Sequence, residues 1–175
     1  TNILKDKDYA VTDKICNYIE QKGKKWTLAK KDEEGHILPG TVPSDVECGL
    51  VLGGDGTLIR AIRDLDGVVG LNSFTPFVHA TKAKQTVEQL AKHADHMINI
   101  MGLEHVGCGF DFFEFCTPDV VGTMTDDPEL SVAGMKDCSE IYKLFQCFDK
   151  LGLTKREKEL IARENFTRVL EKTVG

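Results

Sequence analysis

The feature that most restricts this chain is an apolar run, Gly49–Leu52, that ends in Gly53-Gly54-Asp55-Gly56-Thr57 and continues through Leu58, Ile62 and Leu65 at helical spacing. A run without polar alternation fits a strand covered on both faces, as in a parallel sheet. The three glycines mark a tight turn, and the spacing beyond them predicts a helix. Strand, turn and helix together make half of a β-α-β unit, which needs a further strand to pack against.

The rest of the chain supplies such strands. Val11, Ile15, Tyr18 and Ile19 recur at helical spacing before Gly23, and Trp26–Lys30 reads as a short strand. Lys31–Asp45 is charged and holds Gly35, Pro39, Gly40 and Pro43, which predicts an exposed loop. Asp66-Gly67 punctuates the chain before a second unalternating run, Val68–Leu71. Ala83, Val87, Leu90 and Ala91 mark a helix that resumes through Met97, Ile100 and Met101 to Gly102. His105–Phe110 is the next strand, with Asp111 at its end, and the Thr117–Gly134 segment is rich in turn residues. Cys138, Ile141, Leu144, Phe145 and Phe148 form one helical stripe. Thr154 and Glu157 have capping-box spacing ahead of a last helix bearing Leu160, Ile161, Val169 and Leu170.

The order α-β-β-α-β-α-β-α-α predicts an α/β fold: a single three-layer domain with a small, mainly parallel sheet of about four strands, of flavodoxin-like or Rossmann-like form.

Composition narrows the function classes. Net charge is −6 and no basic run is long, which argues against a nucleic-acid partner. No apolar stretch approaches the ~20 residues of a membrane span, and no secretory leader is visible, so the expectation is a cytoplasmic protein with no membrane partner. Cys16, Cys48, Cys108, Cys116, Cys138 and Cys147 include no CxxC pair and read as reduced, mostly buried thiols.

The chemistry centres on Gly53–Thr57. Glycines let backbone approach phosphate oxygens, and the start of the next helix offers free N–H groups and a partial positive charge to an anion. Asp55 would stand beside a phosphate or ribose, where it could take a proton from a hydroxyl that must become a nucleophile. Thr57 could hold a phosphate. Against this stands a plain turn in which Asp55 or Thr57 caps the helix.

Asp6–Arg63, with KDKDYAVTDKICNYIEQKGKKW and VECGLVLGGDGTLIRAIRDL, resembles the amino-terminal domain of NAD kinases. The resemblance implies that Asp55 contacts the acceptor ribose as general base and that Gly53, Gly54 and Gly56 lie near the donor phosphates. It also implies NAD and ATP, with Mg²⁺, as candidate ligands. It fades at Gly70-Leu71-Asn72, where that family continues with a glycine-rich segment and a β-rich domain.

From about Gly67 to Glu171 the chain resembles the closing quarter of the membrane dipeptidase family, zinc enzymes built on a (β/α)8 barrel. VVGLNSFTPF, HADHMINIMGLEHVGCGFDFFEF and ENFTRVLE carry this resemblance. It implies that Val68–Asn72 and His105–Phe110 correspond to the last two barrel strands. Asp111 would then match an active-site aspartate that assists proton transfer, at the end of the barrel where such enzymes keep their chemistry. That family's zinc ligands belong to earlier strands, so no metal ligand is expected here. His93 and His96 are three apart but are expected to face solvent or a helix end. His105 is expected to pack or hydrogen-bond at a strand start, and His36 and His79 show no partner. Asp111 with Glu114, and Asp126 with Asp127, do not form a recognisable acid pair or metal motif. Phe110, Phe112, Phe113 and Phe115 are expected to pack in the core or as a lid.

The expectation is therefore a hybrid with an NAD-kinase-like segment, 1–66, and a dipeptidase-like segment, 67–175, sharing one continuous domain. Its first functional reading is a recombined or engineered protein without a complete active site that retains weak nucleotide or phosphate binding at Gly53–Thr57. Phosphoryl transfer from ATP to NAD with Asp55 as base is the second reading, and a metallodipeptidase-related activity is the third. NAD kinases carry an apolar strand ahead of the position of Thr1. Without it, homodimerisation or strand exchange is expected.

Overall fold

The computed structural model describes residues 1, 4–113, 115–124 and 130–174. Its contacts divide the chain into two compact units, Thr1–Gly67 and Val68–Gly175. The boundary falls where the two sequence resemblances meet.

In the first unit, α1 (Ala10–Gln21) starts on a carboxylate rather than on a Ser or Thr cap. Asp6 accepts the Val11 N–H at 2.8 Å, the Thr12 N–H at 3.0 Å and the Thr12 hydroxyl. The Thr12 hydroxyl and then the Val11 N–H hold the Asp6 carboxyl below the usual range. The helix ends before Gly23, whose φ of +70° is the left-handed conformation that glycine adopts without strain. The second helix, α2 (Asp55–Asp64), follows the glycine turn, and Gly67 N–H returns to Ile62 O at 2.8 Å to close it.

The two strands expected in this unit do not form. Neither Trp26–Lys30 nor Gly49–Leu52 is a strand, and among the described residues of the unit an isolated antiparallel bridge joins Lys31 to Ile37, beside a bond from Leu38 N–H to Lys30 O at 2.8 Å. A parallel strand has no local hairpin partner, so without a neighbour it remains bare chain. Leu50 is accordingly 63% exposed and Trp26 43%. Among its described residues, those buried are Asp6, Thr12, Cys16 and Thr57.

The second unit has the β-α-β form. β1 (Val69–Leu71) pairs in parallel with β2 (Val106–Cys108), in the register Val69–Val106, Gly70–Gly107 and Leu71–Cys108. The connection runs through the short α3 (Thr75–Val78) and the long α4 (Val87–Met101). The Thr86 hydroxyl caps α4 by accepting the Gln89 N–H. The backbone of Ala133 bonds Gln85 O and Val87 N and so ties the start of α4 to a later segment. Within the turn-rich stretch lies α5 (Pro118–Met124). The sheet of the described residues therefore has two strands where about four were expected, and the α/β character rests on this second unit.

Its core lies where α4 meets α6 (Tyr142–Lys150). Leu71, Val78, Leu90, Ala94, Val132, Met135, Leu144, Phe148 and Ile161 fill it. The chain closes with α7 (Lys155–Glu159), a π-helical turn Leu160–Glu164, and α8 (Asn165–Val174). Thr154 and Glu157 form the expected capping box in full. At the start of α8, Asn165 is 1% exposed, and its amide donates to Leu103 O and Val106 O, both at 2.8 Å. A Cβ on Gly107 would lie 2.5 Å from the Phe166 ring, and one on Gly109 would lie 2.6 Å from Gly70 Cα. Glycine at these positions lets the final helix and the two strand ends close on one another.

Candidate functional site

Gly54 is the N-cap of α2, with extended backbone (φ −102°, ψ −173°) and no side-chain cap bond. The Thr57 and Leu58 N–H groups turn back to Gly54 O at 2.8 and 3.2 Å. Gly53, Gly54 and Gly56 do not use positive φ. Their value here is space. A Cβ on Gly53 would collide with the Thr57 side chain, and one on Gly54 would come within 2.6 Å of Lys5 Nζ. The turn thus carries bare backbone with an ammonium against it, and Asp55 is exposed in the first turn of the helix. Arg60 lies one turn on, with Nε bonded to Gly56 O at 3.1 Å and Nη1 to Glu34 O at 2.7 Å. Helix N-terminus and ammonium together favour an anion here. Sequence reading found the turn and Asp55 but not Lys5, which nothing in its KDKD setting distinguishes from any surface lysine.

Asp111 stands just beyond β2, exposed. The Ser73 hydroxyl, itself 3% exposed, accepts the Asp111 N–H at 3.0 Å and lies 3.3 Å from Asp111 O. One hydroxyl therefore fixes the backbone that carries the carboxylate, and it joins the carboxyl ends of β1 and β2. Phe74 packs on Phe77 and on Phe113 next to it. Nothing in the sequence marks Ser73, since a serine after a strand ordinarily begins a turn.

Other expectations resolve individually. His36 does have a partner, Asp64, with Nδ1 and Oδ1 3.1 Å apart, while the same carboxylate accepts the Ile37 N–H. His79 Nδ1 accepts the Thr81 N–H at 2.8 Å, which leaves its proton on Nε2 when neutral. Burial, then the positive charge of His96 and His79, lowers the His93 pKa. His96 is exposed, and His105 ends a 3₁₀ turn directly before β2. Phe110 and Phe112 pack on the core, but Phe115 is 81% exposed. Two of the six thiols are buried, while Cys48 and Cys138 are exposed, which corrects the expectation of mostly buried cysteines. The Cys108 thiol is pushed up to about 12 by burial. Glu114, Asp126 and Asp127 lie outside the described residues.

Among the described residues no three His, Cys, Asp or Glu side chains come together as a ligand set. Asp55 and Asp111 belong to no such set.

The profile of the membrane dipeptidase family (peptidase family M19) matches residues 55–174, more than half of the chain. The chain belongs to the membrane dipeptidase family. An uncharacterized dipeptidase of Schizosaccharomyces pombe is 29% identical over 120 residues, covering 68% of this chain and 26% of that protein. An uncharacterized protein from the pqqA 5′ region of Klebsiella pneumoniae is 39% identical over 75 residues, covering 41% of this chain and 28% of its own length. A separate segment of this M19 chain is similar to NAD kinases. The Agathobacter rectalis NAD kinase is 47% identical over 64 residues, covering 34% of this chain and 23% of the kinase. The chain is thus a hybrid of NAD-kinase-like and dipeptidase-like parts. It spans about a quarter of the length of these curated relatives.

Proposed function

We propose that this chain is a recombined α/β protein without the full catalytic set of either parent family, and that its retained chemistry is weak binding of nucleotide phosphates at Gly53–Thr57. The observation that carries the reading is the bare Gly53–Gly54 backbone at the start of α2 with Lys5 Nζ against it. It lies in the part of the chain that resembles NAD kinases. Phosphate oxygens would meet backbone N–H groups, the positive end of a helix and one ammonium. Asp55 beside them would disfavour a bare phosphate and favour a ligand that also presents a hydroxyl.

Titration calorimetry with ATP and NAD tests binding, and a coupled assay for NADP tests turnover. We expect ATP to bind with a dissociation constant of roughly 0.1–1 mM, with NADP formation no faster than in Asp55→Asn. Absence of heat with either nucleotide would remove the reading.

The second reading is phosphoryl transfer to NAD, favoured by the exposure of Asp55 in the first turn of α2. Asp55 would take the proton of the ribose 2′-hydroxyl, that oxygen would bond to the γ-phosphorus of ATP, and ADP would leave. NADP formed by the wild type and lost in Asp55→Asn would put this reading first.

A further inference from the structure

Two apolar stretches of the first unit stand open. Among the described residues, the backbones of residues 26–29 and 46–52 make no hydrogen bond. Their side chains are uncovered as well: Trp26 is 43% exposed, Leu28 46%, Val46 42%, Leu50 63% and Val51 38%. Tyr18, on α1, is 60% exposed. Bare backbone beside apolar side chains is a template for pairing with another chain.

The charges beside the two stretches are opposite in sign. Lys24 and Lys25 precede the first, Asp45 and Glu47 open the second, and all four are exposed. Laid side by side in parallel, with Trp26 level with Val46, the stretches would bring Lys25 level with Asp45. Lys24 would then lie next to the same carboxylate, and Glu47 would come within reach of Lys25. Opposite charges at facing positions favour one register over its neighbours.

One chain has little means of making this pair for itself. Parallel pairing within a chain needs a crossover of a dozen or more residues. Here the chain turns directly after the first stretch, through the Lys31–Ile37 bridge and the bond from Leu38 N–H to Lys30 O. Only residues 39–45 remain for the return, and they include Pro39 and Pro43. A second copy carries both stretches free of that constraint. The exposed area suits it. At about 110 Å² for a whole aliphatic side chain and about 200 Å² for an aromatic one, the six exposures leave roughly 400 Å² of apolar surface per copy. A standard interface takes ~800 Å² from each partner, a little over half of it apolar, so the supply matches one dimer.

We propose that two copies of this chain form a two-fold dimer in which residues 25–30 of each lie parallel to residues 45–50 of the other. The arrangement is reciprocal, so both stretches of both copies are used. Residues 31–44 lie between the paired stretches and stay open to solvent.

Sedimentation equilibrium on the full chain over a concentration series tests the proposal, with hydrogen exchange on the same samples. The wild type should approach twice the 19.4 kDa of the chain, and residues 26–29 and 46–52 should gain protection as the dimer fills. Lys24→Glu with Lys25→Glu, and separately Asp45→Lys with Glu47→Lys, should each raise the dissociation constant at least about tenfold. Mixing the two charge-reversed proteins should restore a dimer, because each reversed stretch then faces its opposite. This rescue would not occur if the substitutions merely spoiled folding. A wild type that stays monomeric at every concentration would overturn the proposal. So would a dimer indifferent to both reversals, a mixture that fails to associate, or protection of both stretches in the monomer.

Discussion

At the residue scale, Asn165 does more for the second unit than its place in a helix would suggest. An asparagine inside a helical stretch is ordinarily a surface residue. This one is buried and donates both of its amide hydrogens to backbone carbonyls, Leu103 O and Val106 O. The π-helical turn directly before it inserts one residue into the helical repeat and so changes the direction in which everything after it points. Asn165→Ala would leave two carbonyls short of a partner at a cost of about 2–3 kcal/mol. In a chain of this size that lowers the melting temperature by roughly 5–10 °C. Thr167→Ala, two positions on and exposed, should change stability by less than about 0.5 kcal/mol. Thermal unfolding of the two variants side by side measures the contrast, and equal melting temperatures would show that the buried amide contributes little. The ENFTRV stretch carried this residue into the family resemblance, but its bonds were not legible there. Leu103 and Val106 are about sixty residues away in sequence.

At the scale of elements, helix termini were the most readable part of the chain. The Thr154-x-x-Glu157 box, the Gly23 stop and the Asp66-Gly67 break all stand where the sequence puts them, because each depends on atoms within a few residues. The Thr154 N–H and hydroxyl hold the Glu157 carboxyl below its ordinary value. A carboxyl depressed on folding stabilises fully above its unfolded pKa, about 4.3, and the contribution fades as pH falls through the lower folded value. Protection of the Thr154 amide should therefore be complete above roughly pH 5 and decline below pH 4. Thr154→Ala should cost about 1 kcal/mol at neutral pH, and Glu157→Gln should remove that acid dependence. Thermal unfolding of Thr154→Ala and amide exchange against pH in wild type and Glu157→Gln check the two statements; an unchanged pH profile in Glu157→Gln would count against the box. Strands fared less well. Val69–Leu71 and Val106–Cys108 formed because each had the other, while Gly49–Leu52, at least as apolar, stayed unpaired.

For the whole molecule, the apolar core belongs to one unit. Limited proteolysis of the full chain at neutral pH, without nucleotide, should cut first within residues 22–54, where long stretches outside helix and strand lie exposed. A fragment close to 68–175 should persist, held by the α4–α6 core. Mass spectrometry of the digest identifies the surviving piece, and a stable fragment that instead contained the first unit would contradict this account of where stability resides.

By itself the sequence determined what nearby atoms can decide: helix caps and stops, the glycine turn opening α2, and the two family resemblances carried by continuous motifs. It also placed Asp55 and Asp111 at the ends of apolar runs. Tertiary structure decided which apolar runs found partners, which helix faces were covered, and which polar groups met across long separations, as at Ser73–Asp111, His36–Asp64 and Asn165–Val106. The reason is physical. A cap or a turn is stabilised within one stretch of chain, whereas a parallel strand and a buried amide depend on partners supplied from far along the sequence, and local pattern carries no information on whether those partners arrive.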